Sequence, residues 1–441
     1  MRETQEGKVA MRVLLISLAP VNPTFGSGNT FLNVMGLLEG VELASICARA
    51  GETDPRVSRA FYMTEGMLFR NLLRGTPVGR MTEPSAEGGE CPGSDGERRL
   101  QIFAHRHRWT VLFWARDLLW RVSRWRSPEL KAFLEEYRPH VILASLSNTP
   151  HVNRLILHAA EVTGAKLVLY AWDNNYTYKQ FTLSPLRWIK QAVDRASMRQ
   201  VAARADLTYA ICEDLKAAYE ASFGREFHLL TKGGDFTGVP PVKAAYNRPL
   251  QLVYTGNLQN NRWRSLAVIA RVLERVNRDG LRAQLRIYTG TPLTKRMSRA
   301  LDRGESSTVM GLVPPAEVAR IQSEADMLVH AEGTDLKNRL IVRHSFTTKL
   351  VDYMAAARPI LAYGKRDMAS IRHLERNQCA VVADSPDEQY QKLTAVLGDE
   401  AALEDLARRA YACGRRCHGR EDIRAMLTED FKTLLNERED V

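Results

Sequence analysis

Short, wholly apolar runs punctuate this chain, and each tends to lead into a polar or glycine-bearing loop and then a helix-spaced stretch. The first run is Arg12-Val13-Leu14-Leu15-Ile16-Ser17, the pattern of a parallel strand buried on both faces. Gly26-Ser27-Gly28 and an apolar helix from about Thr30 follow, which is the opening of a Rossmann-like unit. The third glycine of the dinucleotide fingerprint is missing, so Gly28 reads as room for a diphosphate or an acceptor to approach the backbone. Val141-Ile142-Leu143-Ala144 and Lys166-Leu167-Val168-Leu169-Tyr170 predict two more buried strands, joined by a helix over 152–163. They run into Ser147-Asn148-Thr149-Pro150-His151 and Trp172-Asp173-Asn174-Asn175. Loops beyond the carboxyl ends of parallel strands are where open α/β sheets bind ligands.

The second half repeats the plan. Leu250-Gln251-Leu252-Val253-Tyr254 predicts a strand, Thr255-Gly256-Asn257-Leu258 its loop, and 266–276 a helix. Further strands are expected at 285–288, 325–330 and 360–363, and a last helix at 424–435. A chain of 441 residues is too long for one ordinary core. The expected fold class is α/β, with two Rossmann-like domains facing across a cleft. Residues 11–230 form the acceptor side, the Gly- and Pro-rich stretch 231–249 a linker, 250–418 the nucleotide side, and 419–441 a closing helix. Residues 76–100, rich in Gly, Glu, Ser and Pro, read as a mobile loop.

Ser345-Phe346-Thr347-Thr348-Lys349-Leu350-Val351-Asp352-Tyr353-Met354-Ala355-Ala356-Ala357-Arg358-Pro359 carries the most chemistry. It lies between two apolar runs and predicts a helix capped by Ser345 or Thr347. The N–H groups of a first helical turn lack intrahelical partners and favour an anion. Thr347 and Thr348 supply such groups, and Lys349 adds a full positive charge. Asp352, three residues on, shares that face and can accept from sugar hydroxyls. Phosphate donors followed by a hydroxyl-accepting carboxylate suit a nucleotide diphosphate with its ribose.

This stretch resembles the donor-site helix of retaining, nucleotide-sugar-dependent glycosyltransferases of the GT-B type, whose signature is a carboxylate, seven residues, then a second carboxylate before an alanine-rich helix. Asp352 falls on the second carboxylate, whereas His344 stands at the first, so the resemblance is to a divergent branch. Ala357 replaces the usual glycine. A left-handed Ala costs about 1 kcal/mol, so the helix end is expected to be shaped differently. Tyr254-Thr255-Gly256-Asn257-Leu258 resembles the first donor-phosphate loop of that family, which implies a phosphate-pairing cation after it, at Arg262 or Arg264. Glu332 stands where members carry sugar-binding groups, and Lys232-Gly233-Gly234-Asp235 resembles their hinge. One or two of Lys337, Arg339, Arg343 and His344 face the ligand. In this architecture the last helix crosses back to the N-terminal domain.

The resemblance implies transfer of a sugar from a nucleotide diphosphate sugar to an acceptor hydroxyl, with Lys349 and Arg262 stabilising the departing diphosphate. No cofactor is expected, and no Asp-x-Asp cluster is present to hold a metal. His151 and Asp173 are the titratable residues at acceptor-side strand ends; either orients the acceptor or carries its proton. Surface polysaccharide or glycolipid synthesis is the expected setting, with a saccharide or lipid-linked acceptor.

The formal net charge of +11 favours anionic partners without choosing among them. The arginines are dispersed and no nucleic-acid recognition motif is present, so nucleic acid is not expected. Six scattered cysteines fit a reduced cytoplasmic protein. Cys413-x-x-x-Cys417-His418 has no second ligand cluster in the sequence, and its thiols read as solvated or half-buried on a helix. Residues 105–126, with five tryptophan and phenylalanine side chains among arginines, read as a helix making a peripheral membrane contact or packing between neighbours. A nucleotide-sugar epimerase of the same architecture, or a degenerate transferase serving as a binding subunit, are the competing readings.

Overall fold

The computed structural model describes residues 11–23, 26–82, 89–90, 110–177 and 183–436. Two open sheets dominate it. The N-terminal sheet takes β1 (Met11–Ser17), β2 (Val41–Cys47), β4 (Val57–Tyr62), β5 (Arg80–Thr82), β7 (Val141–Ser145), β8 (Lys166–Ala171), β9 (Leu207–Ala210) and β10 (His228–Leu229). Their order is β10-β9-β8-β7-β1-β2-β4-β5, and every pair is parallel except β4 with β5. The short strands β3 (Glu52–Thr53) and β6 (Gly89–Glu90) pair apart from it. The C-terminal sheet is wholly parallel. It comprises β11 (Leu250–Thr255), β12 (Ala283–Tyr288), β13 (Ser307–Gly311), β14 (Met327–Ala331), β15 (Ile360–Tyr363) and β16 (Val381–Ala383), in the order β13-β12-β11-β14-β15-β16.

The continuous apolar runs become central strands because helices cover both sheet faces. All five residues of β14 and all four of β15 are buried. Strands β2, β4, β9, β13 and β16 come from shorter or more mixed runs and do not stand out in the sequence. In each sheet, successive strands build outward one way and then the other. The reversal falls between β1 and β7 in the first sheet and between β11 and β14 in the second, and such a switch point opens a crevice at the strands' carboxyl ends.

The last helix, Arg420–Asn436, does return to the N-terminal domain. Its Asp430 Oδ2 accepts from Tyr209 Oη at 2.7 Å and lies 3.0 Å from His228 Nδ1. It breaks from the preceding helix, Glu400–His418, at Gly419. There Gly234 of the linker donates to His418 O at 2.8 Å and accepts from Arg420 N at 3.0 Å.

Several local expectations change. Most of residues 76–100, and Trp109, lie outside the described residues, but Arg80–Thr82 is a strand against Ala60–Tyr62 rather than loop. In the Thr110–Val122 helix Trp120 is 1 % exposed, while Val111, Leu118 and Val122 on its other side are exposed. The donor-stretch helix spans only Lys349–Ala355, begins after Thr348, and has no side-chain cap. Ala357 takes φ +48° despite its methyl group, so the left-handed helix end persists. Gly28 lies within the Gly26–Met35 helix, and a Cβ there would meet the Asn22 backbone N and O at 2.5 Å. Close packing of the loop explains that glycine.

Candidate active site

Three segments converge at the β11/β14 switch point of the C-terminal sheet. After β11 the chain turns through Gly256 and Asn257 into the Arg262–Val276 helix. Glu332 directly follows β14, and Thr347 to Lys349 lie on the crossover to β15. Gly256 has φ +147°, and a Cβ there would strike Lys349 Nζ, so only glycine admits the lysine.

Arg262 and Glu332 form a bidentate pair, Nε to Oε2 at 3.1 Å and Nη2 to Oε1 at 3.2 Å. Arg262 Nη1 also donates to Asn257 Oδ1 at 3.2 Å. Three of the five guanidinium N–H groups are thus engaged, leaving two for a ligand. Thr347 Oγ1 donates to Glu332 Oε1 at 2.9 Å, and Ser265 Oγ to Glu332 O at 2.6 Å. Glu332 is buried, which opposes its charge, but the Arg262 charge and the hydrogen bonds from Arg262 and Thr347 outweigh that, and its carboxyl is held below the usual range. His330 lies behind it, Nε2 at 3.6 Å, with burial pushing the imidazole down to about 4, so it is neutral.

Lys349 Nζ donates to Thr255 O at 2.9 Å and stands 4.7 Å from the centre of the Tyr254 ring. Crowding by protein, then Arg262, brings its ammonium down to about 8. Arg262 and Lys349 against one Glu332 leave an excess positive charge, held by groups already fixed in place.

The remaining expected residues sort clearly. The Thr347 N–H donates to Ser370 Oγ at 3.0 Å, so it is not available to a phosphate. The Thr348 and Lys349 N–H groups have no partner among the described residues. Asp352 pairs with Lys232 of the linker and stays half-exposed. Arg264 is exposed and stacks on Trp263 at 5.4 Å, away from Glu332. His344 points to the other domain: its Nδ1 is 3.0 Å from Asp214 O, and its carbonyl accepts from Cys212 Sγ at 3.3 Å. Arg339 and Arg343 pair with Asp367.

On the acceptor side, Asp173 lies beyond β8 in the cleft, where its Oδ1 accepts from Ser345 Oγ at 3.0 Å across the gap. Surrounding protein pushes its carboxyl up although solvent still reaches it. His151 is not brought to the cleft. It is 1 % exposed, stacked on Trp120 with centroids 4.8 Å apart, and Nδ1 is 3.6 Å from Asp117. Burial pushes it down to about 4.

Sequence reasoning missed Asn257's hold on Arg262, the Thr347 to Glu332 bond, and Ser345's contact with Asp173. The first two form within single strand-to-strand connections whose loop shape the sequence does not state, and the third joins segments far apart in the chain. It also did not foresee that the fold sets His373 beside Cys413 and Cys417.

Residues 249–399 match the sequence profile of a family described as glycosyl transferases group 1. A comparison with curated protein sequences gives no match. Among solved structures, the chain is similar to sucrose-phosphate synthase from Thermosynechococcus elongatus, with TM-score 0.63 and 12 % identity over 97 % of this chain and 100 % of that one. It is similar to Anabaena HepE in complex with UDP, with TM-score 0.61 and 12 % identity over 96 % and 100 %. A glycosyltransferase from Rickettsia africae gives TM-score 0.58 and 11 % identity over 96 % and 98 %. No helix among the described residues is long and apolar enough to cross a membrane. The chain therefore has the GT-B fold, two Rossmann-like bodies facing across a cleft, and its C-terminal body is where the similarity to group 1 glycosyltransferases lies.

Proposed function

We propose that the protein transfers a sugar from a nucleotide diphosphate sugar to an acceptor hydroxyl, with retention of configuration at the anomeric carbon. The observation that carries this reading is the Arg262–Glu332–Thr347 constellation with Lys349 beside it, at the switch point of the C-terminal sheet. The similar Anabaena HepE, solved in complex with UDP and with UDP-glucose, supports a donor of that class.

As the glycosidic bond breaks, negative charge grows on the departing diphosphate. Lys349, the two unengaged N–H groups of Arg262 and the Thr348 and Lys349 backbone N–H groups would stabilise it. Fixed charges of this kind need little reorganisation during reaction, which is their advantage over water. Asp352 lies one helical turn from Lys349 and would accept from the ribose once Lys232 shifts. Asp173 is the acceptor-side candidate, and the leaving phosphate itself would take the acceptor's proton.

A lipid-linked acceptor is favoured by the apolar face of the N-terminal half. Leu72, Leu73, Val111, Leu118, Trp188 and Ile189 are exposed on three helices, two of them tied by Trp114 Nε1 donating to Leu186 O at 3.3 Å. A basic protein presenting such a face suits an anionic membrane surface. Flotation with anionic vesicles tests this, and absence of binding removes the lipid-linked acceptor.

A donor-binding protein without turnover is the second reading, favoured because His344 is committed to Asp214 rather than to the donor site. Incubation with a panel of nucleotide sugars and simple acceptors separates the two. Release of nucleoside diphosphate with a glycosylated product supports transfer. Donor binding with no product supports the second reading, and an isomerised donor without acceptor points to an epimerase.

A further inference from the structure

The Glu400–His418 helix carries Cys413 and Cys417 one turn apart, and the Ala369–Arg376 helix brings His373 against them. Donor atoms of these three residues all lie within 4.8 Å of one another. Cys413 Sγ is 3.5 Å from His373 Nε2, and His373 Nε2 is 3.3 Å from His418 Nε2. Zinc bonds of about 2.0–2.1 Å to nitrogen and about 2.3 Å to sulfur, set at tetrahedral angles, separate two nitrogens by about 3.3 Å and a nitrogen from a sulfur by about 3.6 Å. Both observed edges match those lengths.

The surroundings agree with a closed metal site. His418 Nδ1 is 3.0 Å from Thr231 Oγ1, an oxygen able to accept its proton and so leave the Nε2 lone pair facing the cluster. Cys413 and His418 are buried and His373 and Cys417 half-buried, so the cluster lies beneath the surface as structural sites do. One divalent ion replacing two thiol protons leaves the site electrically neutral, so nothing charged is stranded in the core.

We propose that His373, Cys413 and Cys417 hold a structural zinc ion at the base of the donor domain, with His418, which neighbours His373 but lies outside the set in mutual reach, moving in as the fourth ligand. Its place is mechanical. Phe346, next to Thr347, stacks on His418 and meets His373 edge-on, both with centroids 5.2 Å apart. His418 O accepts from Gly234 of the linker. An ion here joins the donor loop, the linker and the two C-terminal helices at one point. Cys379 lies against Cys413 but outside the set in mutual reach, its thiol donating to Leu374 O at 3.6 Å. This inference stands independently of the transfer reaction.

The test uses the reduced, full-length protein and Co2+ as an optical probe. The expected result is a thiolate-to-cobalt charge-transfer band with the visible bands of a tetrahedral ion, saturating at one ion per chain and abolished by an equivalent of Zn2+. Cys417→Ser, which barely alters volume, should weaken Zn2+ binding by at least about tenfold, since loss of an outer-shell partner alone costs about 10–100-fold. His373→Ala should do the same, while Cys379→Ser keeps the band. The wild-type spectrum needs no variant to fold, so absence of the charge-transfer band at equimolar cobalt overturns the site. An unchanged band and affinity in both Cys413→Ser and Cys417→Ser overturn it equally.

Discussion

At the β11/β14 switch point, Arg262, Glu332 and Lys349 meet at the ends of buried strands with hydrogen-bonding capacity to spare. In the N-terminal sheet His151 also follows a strand end, yet it is enclosed under Trp120 beside Asp117 and Lys190. Both sheets share the strand–loop–helix plan. What separates them is where the loop's charges go, toward the crevice in one and into the packed interior in the other. A strand end in an open sheet is therefore only a candidate position, and the covering element decides its chemistry. Here that element is the Thr110–Val122 helix.

The sharpest way to break this contrast is a pair of substitutions, one in each half. Lys349→Ala should lower turnover by about 10²–10³, the loss seen when one preorganised donor to a developing anion is removed. His151→Asn should lower stability while leaving turnover near wild type. Steady-state assays with thermal melts read both, and equal losses of turnover would erase the distinction.

The second largest effect is on folding. Arg262→Ala leaves Glu332 buried without its partner, which costs about 3–5 kcal/mol. Adding Glu332→Ala should restore part of it, because the stranded charge is gone. Urea denaturation of both variants and the double variant gives the coupling directly.

The pH dependence sharpens the comparison further. Lys349 sits at about 8, below its ordinary 10.5. The unfolded chain therefore binds more protons between those values, and the cost of holding the charged lysine fades as pH rises through 8. An anionic donor needs that charge, so its affinity should fall over the same range. Near pH 8 to 9 binding should take up a proton, which calorimetry in buffers of different ionisation enthalpy measures. His151, at about 4, contributes the opposite edge: stability should decline as pH falls from about 6.5 toward 4, with no change in donor affinity.

How far these features could be read from the chain depended on how local their causes were. The two-sheet plan was legible because parallel strands buried on both faces leave continuous apolar runs, as at β14 and β15. Lys349, Arg262 and Glu332 were legible because each sits at a strand end or helix start. The partners of Lys349 and Glu332 were not, since Thr255 O belongs to the distant strand β11 and Thr347 Oγ1 is brought back to Glu332 only by the fold of the crossover they share. Asp352 and His344 mark the limit of reasoning by motif. Each occupies its expected place in sequence, yet Lys232 holds one and Asp214 the other. Helix ends were weaker still. Ala357 keeps a left-handed φ against its intrinsic preference because the crossover into β15 demands it.

That residue gives the smallest predicted effect. Ala357→Gly relieves about 1–2 kcal/mol of left-handed strain. It also adds about 0.5–1 kcal/mol of unfolded-chain entropy and removes a buried methyl. The melting temperature should move only slightly, and a large loss would mean that the methyl's packing dominates.

Calorimetric titration with UDP tests the central claim most directly, that a diphosphate is held where Arg262 and Lys349 converge. The account predicts saturable binding at one site per chain, at least about tenfold weaker in Lys349→Ala and unchanged in His151→Asn. Equal affinity in the wild type and Lys349→Ala, both folded, would contradict it.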